Sequence, residues 1–317
     1  MNIKMKESKK RNSGLHNFSE IKLEQELSIL EQLSQWLSRI GINIDGTRFC
    51  KLLELVRDID HHYRSDKTSQ LSMKYDNATQ WVALTDVTTF IRVFLGFKDI
   101  KSHDLPRAKL KEMLDGPLLP WNESPNSGNS HARNTLFELE MAAWFKRAEL
   151  AVTSYDDVQF NFTEHTFNVQ CKRIHSSRRI GDNVAIAADQ ITKRMDKLPR
   201  TKGLICLCID KVSGKEGMIL EVDSHNNISY FLEQIARDFI ISYRHLWQGL
   251  LNIHVLGTFV ILNALARTKD RKKPMLTHCR RTILDIIPNN TLYQQRDYKL
   301  VKKLSDKLNS VKPIAGF

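Results

Sequence analysis

The stretch Phe167-Asn168-Val169-Gln170-Cys171-Lys172 decides how the rest of this 317-residue chain is read. Side chains alternate faces along a strand, so Phe167, Val169 and Cys171 point one way and Asn168, Gln170 and Lys172 the other. The apolar face packs, while the opposite face sets an amide oxygen beside an ammonium. Upstream, Asp157 opens a second strand whose Val158, Phe160 and Phe162 alternate inward. An acid at the start of one strand, followed by a polar-x-Lys on the next, is a geometry for holding a metal beside a positioned water.

Outward from these two strands the pattern keeps changing period. A helix is expected over Ala132–Ala148 and strands over Val158–Phe162 and Phe167–Lys172. A helix over Val184–Met195 and an apolar strand, Gly203–Asp210, follow. Further on come a short strand (Met218–Val222), a helix (Ile228–Leu246), strands over Ile253–Leu262 and Leu276–Ile287, and a basic helix over Leu292–Leu308. This order predicts an α/β fold in which helices cover a mixed sheet.

The N-terminal part reads differently. Leu23, Leu27, Leu30, Leu33, Leu37 and Ile40 recur at three and four residues and end at Gly41, which predicts an amphipathic helix. Two more helices are expected over Thr47–Ile59 and from Ala78 to Leu95, the latter stopping at Gly96. Between Gly116 and Ser130, Pro117, Pro120 and Pro125 fall among Asn, Ser and Gly, a composition that disfavours helix and strand alike. The expected organisation is a loose basic tail (1–15), a helical region (16–115), a linker (116–131) and an α/β domain (132–317).

Asp157, Gln170-x-Lys172 and an upstream helix bearing Glu138 together resemble the PD-(D/E)XK nuclease superfamily. The order of helix, strands, helix and strand is similar to its restriction-endonuclease-like αβββαβ core. The likeness covers about Ala132 to Asp210. No proline precedes Asp157, and Gln170 stands where a glutamate is usual; Gln-x-Lys variants resemble the Mrr-like branch. The resemblance implies a Mg2+- or Mn2+-dependent endonuclease acting on DNA rather than RNA, in bacterial or antiviral defence. In that scheme Asp157 is the principal metal ligand and Gln170 lends its side-chain oxygen to the same shell. Lys172 orients or helps deprotonate the attacking water and offsets charge on the phosphorus oxygens. Glu138 binds a second metal or holds one of its waters. Glu140 is the alternative acid, since residues two apart on a helix differ by about 200° and cannot share a face. An amide is neutral and holds a hard cation less strongly than a carboxylate. A binding module that no longer cuts, or a structural subunit of a larger complex, is therefore the alternative.

Charge supports a nucleic-acid partner. The chain carries 48 Lys and Arg against 36 Asp and Glu, a formal net charge of +12. Between Gln170 and Lys202 nine basic residues meet three acids, so this short strip holds half of that excess. Arg173, His175, Arg178 and Arg179 leave the Lys172 strand where a phosphate backbone is expected to pass. Gln190 and Lys193 follow on the next helix, Gln190 resembling a polar position that borders this family's active site. A second basic run, Arg267 to Lys273, reads as a loop.

Other classes are excluded or disfavoured. Ser213-Gly214-Lys215 lacks the spacing of a phosphate loop, and neither His-Glu-x-x-His nor Gly-x-Ser-x-Gly occurs. Cys206 and Cys208 sit inside an apolar strand and read as core, and five cysteines, an odd number, fit a reducing cytoplasm better than a disulfide framework. From Leu246 to Ala266 no charged residue occurs, but Asn252, His254 and two glycines interrupt the run. A helix end followed by a buried strand is expected there, with no membrane span. The N-terminal helices are available for a homodimer or a larger complex.

Overall fold

A computed structural model describes residues 15–65, 68–123, 130–195, 200–214, 219–222, 225–248, 255–268, 276–286 and 292–311. In chain order the elements are β1 (Leu15–Lys22), α1 (Leu23–Arg39), α2 (Arg48–Arg64), α3 (Thr68–Lys74), α4 (Asn77–Phe97), α5 (Arg107–Glu112), α6 (His131–Arg147), β2 (Ala151–Ser154), β3 (Val158–Phe162), β4 (His165–Arg173), α7 (Ile180–Met195), β5 (Thr201–Cys208), β6 (Ile219–Val222), α8 (His225–Gln248), β7 (Val255–Thr268), β8 (Leu276–Asp285) and α9 (Leu292–Asn309). The eight strands form one mixed sheet in the order β1-β8-β7-β5-β4-β3-β2, with β6 alongside β7. Strands β4, β5 and β7 are mutually parallel, and β6 is parallel to β7. The pairs β2–β3, β3–β4, β7–β8 and β8–β1 are antiparallel. The chain is thus α/β with a mixed sheet.

Helices cover both faces, and the strand sequences say why. In β5 every residue from Gly203 to Cys208 is buried, as a central parallel strand between two helical layers requires. Leu204, Cys206 and Cys208 join the core formed with α1, α2, α4, α6 and α9, whereas Ile205 and Leu207 join the core under α7 and α8. The same alternation in β4 sends Phe167 and Val169 towards α6, where Phe160 and Phe167 stack with ring centroids 5.0 Å apart.

Several sequence expectations change once tertiary contacts are present. Leu15–Lys22, divided between the tail and the helical region, is a strand that pairs with β8 over eight residues and covers its outer edge. Gly96 does not stop its helix; α4 runs on to Phe97. A Cβ at Gly96 would lie 2.4 Å from Ala143 Cβ, so the missing side chain lets α4 and α6 approach. The expected linker contains a short 3-10 turn, Pro120–Asn122, followed by Glu123, whose carboxylate is 1 % exposed. Glu123 pairs with Arg133 at 2.6 Å and Arg173 at 3.3 Å, and Lys211 lies 3.9 Å away. Arg133 and Arg48 both pair with Asp86 on α4. A single hydrophobic core runs from α1 through α6 to the sheet. Residues 1–14, linker residues 124–129 and residues 269–273 of the second basic run lie outside the described residues, as does Lys215.

Glu26, 1 % exposed on α1, accepts a hydrogen bond from Thr88 Oγ1 at 2.9 Å. Burial pushes its carboxyl up from 4.5 to about 8. Between those values the folded chain holds a proton that the unfolded chain has released. Stability from this group is fully present below pH 4.5 and is lost as pH rises towards 8, by up to about 1.4 kcal/mol per pH unit. Urea titrations across this range should show a flatter pH dependence for Glu26→Gln than for wild type. Identical slopes would contradict the assignment.

Candidate active site

Register places the central pair. Val158 faces Val169 across β3 and β4, so Asp157, one residue earlier, lies beside Gln170. Gln170 Nε2 donates to Asp157 Oδ1 at 2.9 Å and to Asn168 Oδ1 at 3.2 Å. Gln170 is 2 % exposed, while the Asp157 carboxylate keeps partial access to solvent. Two residues on, Lys172 Nζ donates to Gln190 Oε1 at 2.9 Å. Gln190 belongs to α7, whose apolar face (Val184, Ala187, Ala188, Ile191) packs on the sheet. One helical turn after Gln190, Arg194 forms an ion pair with the other oxygen of Asp157. Asp157, Gln170, Lys172 and Gln190 therefore meet at one strand end under α7.

Lys172 is half-buried, and the loss of water lowers its ammonium pKa from the usual lysine value. Cys171 and the carboxylate of Glu138 oppose that shift. Glu138 itself extends from α6, on the other side of the sheet, and is engaged by Lys109 of α5 at 2.7 Å. Its charge reaches Lys172 although the two side chains sit on different layers. Glu140 points elsewhere, as the helical angle demands. It is 3 % exposed and bridges Arg92 of α4, at 2.9 Å, to Arg280 of β8.

The expected phosphate contacts divide. Arg178 and Arg179 are exposed on a 3-10 turn, Ser177–Arg179, between β4 and α7. Lys193 is also exposed but pairs with Asp189 at 2.6 Å. His175 is pushed down to about 4 by burial first, and then by Arg173 and Lys211, so its imidazole is neutral at physiological pH. Arg173 is turned away: strand alternation sends it to the face opposite Lys172, onto Glu123. In the sequence Arg194 stands out only as one of the nine basic residues between Gln170 and Lys202. Its spacing of four from Gln190 was the available signal, because residues four apart share a helix face.

Among the described residues no group of three or more His, Cys, Asp and Glu is placed to hold a metal ion. Asp157 and Gln170 form a two-donor pair, which fits only a cation that draws its remaining ligands from water and substrate phosphate. Among these residues no helix is long and apolar enough to cross a membrane. Comparison with models of known protein families, with curated proteins and with solved structures finds no match.

Proposed function

We propose that the chain is a metal-dependent nuclease that hydrolyses phosphodiester bonds, with DNA as the preferred substrate and bacterial defence as its setting. The observation that carries this reading is the contact of Asp157 with Gln170, with Lys172 two residues further along the same strand. The succession α6, β2, β3, β4, α7, β5 supports a restriction-endonuclease-like core.

Asp157 and Gln170 would hold Mg2+ or Mn2+, the amide turning over to present Oε1. The cation would supply Lewis-acid polarisation of a phosphoryl oxygen and a lowered pKa for water. Lys172, held by Gln190, orients the nucleophile; its lowered pKa brings proton exchange closer to neutral pH. Arg178 and Arg179 offer charge to the phosphate backbone, adding affinity that falls steeply with salt. Glu138 tunes Lys172 from the neighbouring layer.

One observation favours a second reading, a nucleic-acid-binding module that does not cut. Arg194 already neutralises Asp157, and among the described residues no further acid joins Asp157 and Gln170 in a metal-holding group. Incubating plasmid and single-stranded DNA with Mg2+ or Mn2+ separates the two. Cleavage by wild type that is lost in Asp157→Ala, with binding retained, supports the nuclease. Salt-sensitive binding without cleavage, unchanged by Asp157→Ala, favours the binding module.

A further inference from the structure

The basic helix α9 buries one stripe, Val301, Leu304 and Leu308, in the core it shares with α6. Its other side lines a groove of about 540 Å³ together with the turn between β3 and β4 (Thr163, Glu164) and His165 at the start of β4. Arg296, Lys299 and Lys303 line this groove from the helix, at spacings of three and four that put them on one face. All three are exposed, and none is engaged by a carboxylate among the described residues. Lys202, on β5, is the fourth cation of the lining and is held by Asp297 at 3.0 Å. Glu164, exposed at the turn, is the remaining acid. Four cations thus line the groove against two carboxylates, and the three on the exposed side of α9 keep their charge for a ligand.

Spacing identifies the kind of anion. From Arg296 to Lys303 the helix rises about 10 Å. Over that axial length one strand of duplex nucleic acid presents about three phosphates. A row of three separate cations matches three successive phosphates, whereas one compact phosphate would meet both ends only if long side chains folded back over it. The groove also lies apart from the candidate active site. His165 and Lys172 stand near opposite ends of β4, about 23 Å apart. Helix α9 packs in the layer of α6, while Gln190 holds Lys172 from α7 on the other face.

We infer that the groove between α9 and the β3–β4 turn binds the sugar-phosphate backbone of one nucleic-acid strand, with Arg296, Lys299 and Lys303 each meeting one phosphate. This is a second nucleic-acid contact, remote from Lys172, that needs no metal and reads no sequence, since phosphates carry none. The inference shares with the proposed function only the choice of nucleic acid as partner and stands whether or not the chain cuts.

Fluorescence-anisotropy titration of the full chain with about two helical turns of duplex DNA, in EDTA and between about 50 and 200 mM salt, tests this. Combining Arg296→Gln, Lys299→Gln and Lys303→Gln should weaken binding at least about tenfold at the low-salt end. The slope of log K against log salt should fall by about 2.7, three phosphates at about 0.9 each. The ligand-free melting temperature should stay close to wild type, because all three residues are exposed. Combining Lys51→Gln, Lys101→Gln and Lys111→Gln removes the same charge from exposed positions outside the groove and should leave the slope within about one of wild type. An unchanged slope in the α9 variant, an equal loss in both variants, or no DNA binding by wild type would each overturn the inference. Displacement of the DNA by poly-glutamate as effectively as by unlabelled duplex would overturn it too, in favour of an acidic peptide. EDTA stops metal-dependent cleavage, so the result is separate from the nuclease reading, which fails on the absence of cutting with Mg2+ or Mn2+.

Discussion

Lys172→Ala is expected to slow metal-dependent cleavage by about 10²–10⁴-fold, the range for removing a positioned proton-transfer group. Affinity for nucleic acid should change by no more than a few-fold, because Arg178 and Arg179 remain exposed beside the site. The ammonium sits under α7, fixed by Gln190 at 2.9 Å, and its lowered pKa follows from lost solvation. Lys172→Arg separates two contributions. It keeps the positive charge but cannot release a proton near neutral pH, so a rescue by arginine would assign Lys172 to charge stabilisation alone. Single-turnover cleavage rates beside fluorescence-anisotropy binding provide both readouts. Cleavage at the wild-type rate in Lys172→Ala would remove this lysine from the mechanism and the nuclease reading with it.

Glu140→Ala should cost about 3–5 kcal/mol of folding stability, the usual penalty for stranding buried charge. The carboxylate is 3 % exposed and joins three parts of the chain: its own α6, Arg92 of α4 and Arg280 of β8. Without it, two buried guanidiniums face each other, with neutral His278 3.4 Å from Arg92 Nη2. Burial lowers the Arg92 pKa to about 10, still well above neutral, so its guanidinium stays charged at pH 7. A drop of roughly 5–10 °C in melting temperature is the corresponding thermal signal. Glu140→Gln, which keeps one acceptor, should lose less. A change below about 1 kcal/mol in Glu140→Ala, within the range of ordinary surface substitutions, would mean that solvent reaches this cluster.

The contrast between Glu138 and Glu140 shows how sequence and structure divide the evidence. Their helical angle established that only one could face the site, but nothing local indicated that Glu140 was claimed by Arg92 and Arg280, 48 and 140 residues away in sequence. The proline-rich stretch was read from composition, which reports backbone preference and not burial. Its Glu123 is therefore invisible as an anchor until Arg133 and Arg173 are brought to it. Gly96 misled for a related reason: glycine marks a helix end and a close helix crossing equally well, and only Ala143 distinguishes them. Strands β1 and β2 and the short helices α3 and α5 carry too little periodicity to stand out.

By itself, the sequence determined what depends on neighbours along the chain. Alternation in β3 and β4 assigned their faces, and the register across their short connection set Asp157 beside Gln170. Period and apolar run length marked α6, α7, β5 and α8 as elements of an α/β fold. Tertiary structure alone decided which charges meet: Arg194 on Asp157, Lys109 on Glu138, Arg173 on Glu123, and Glu140 between Arg92 and Arg280. The physical reason is range. Backbone geometry and hydrophobic periodicity act within a few residues, whereas a buried ion pair or an orphaned hydroxyl is defined by whatever the fold packs against it.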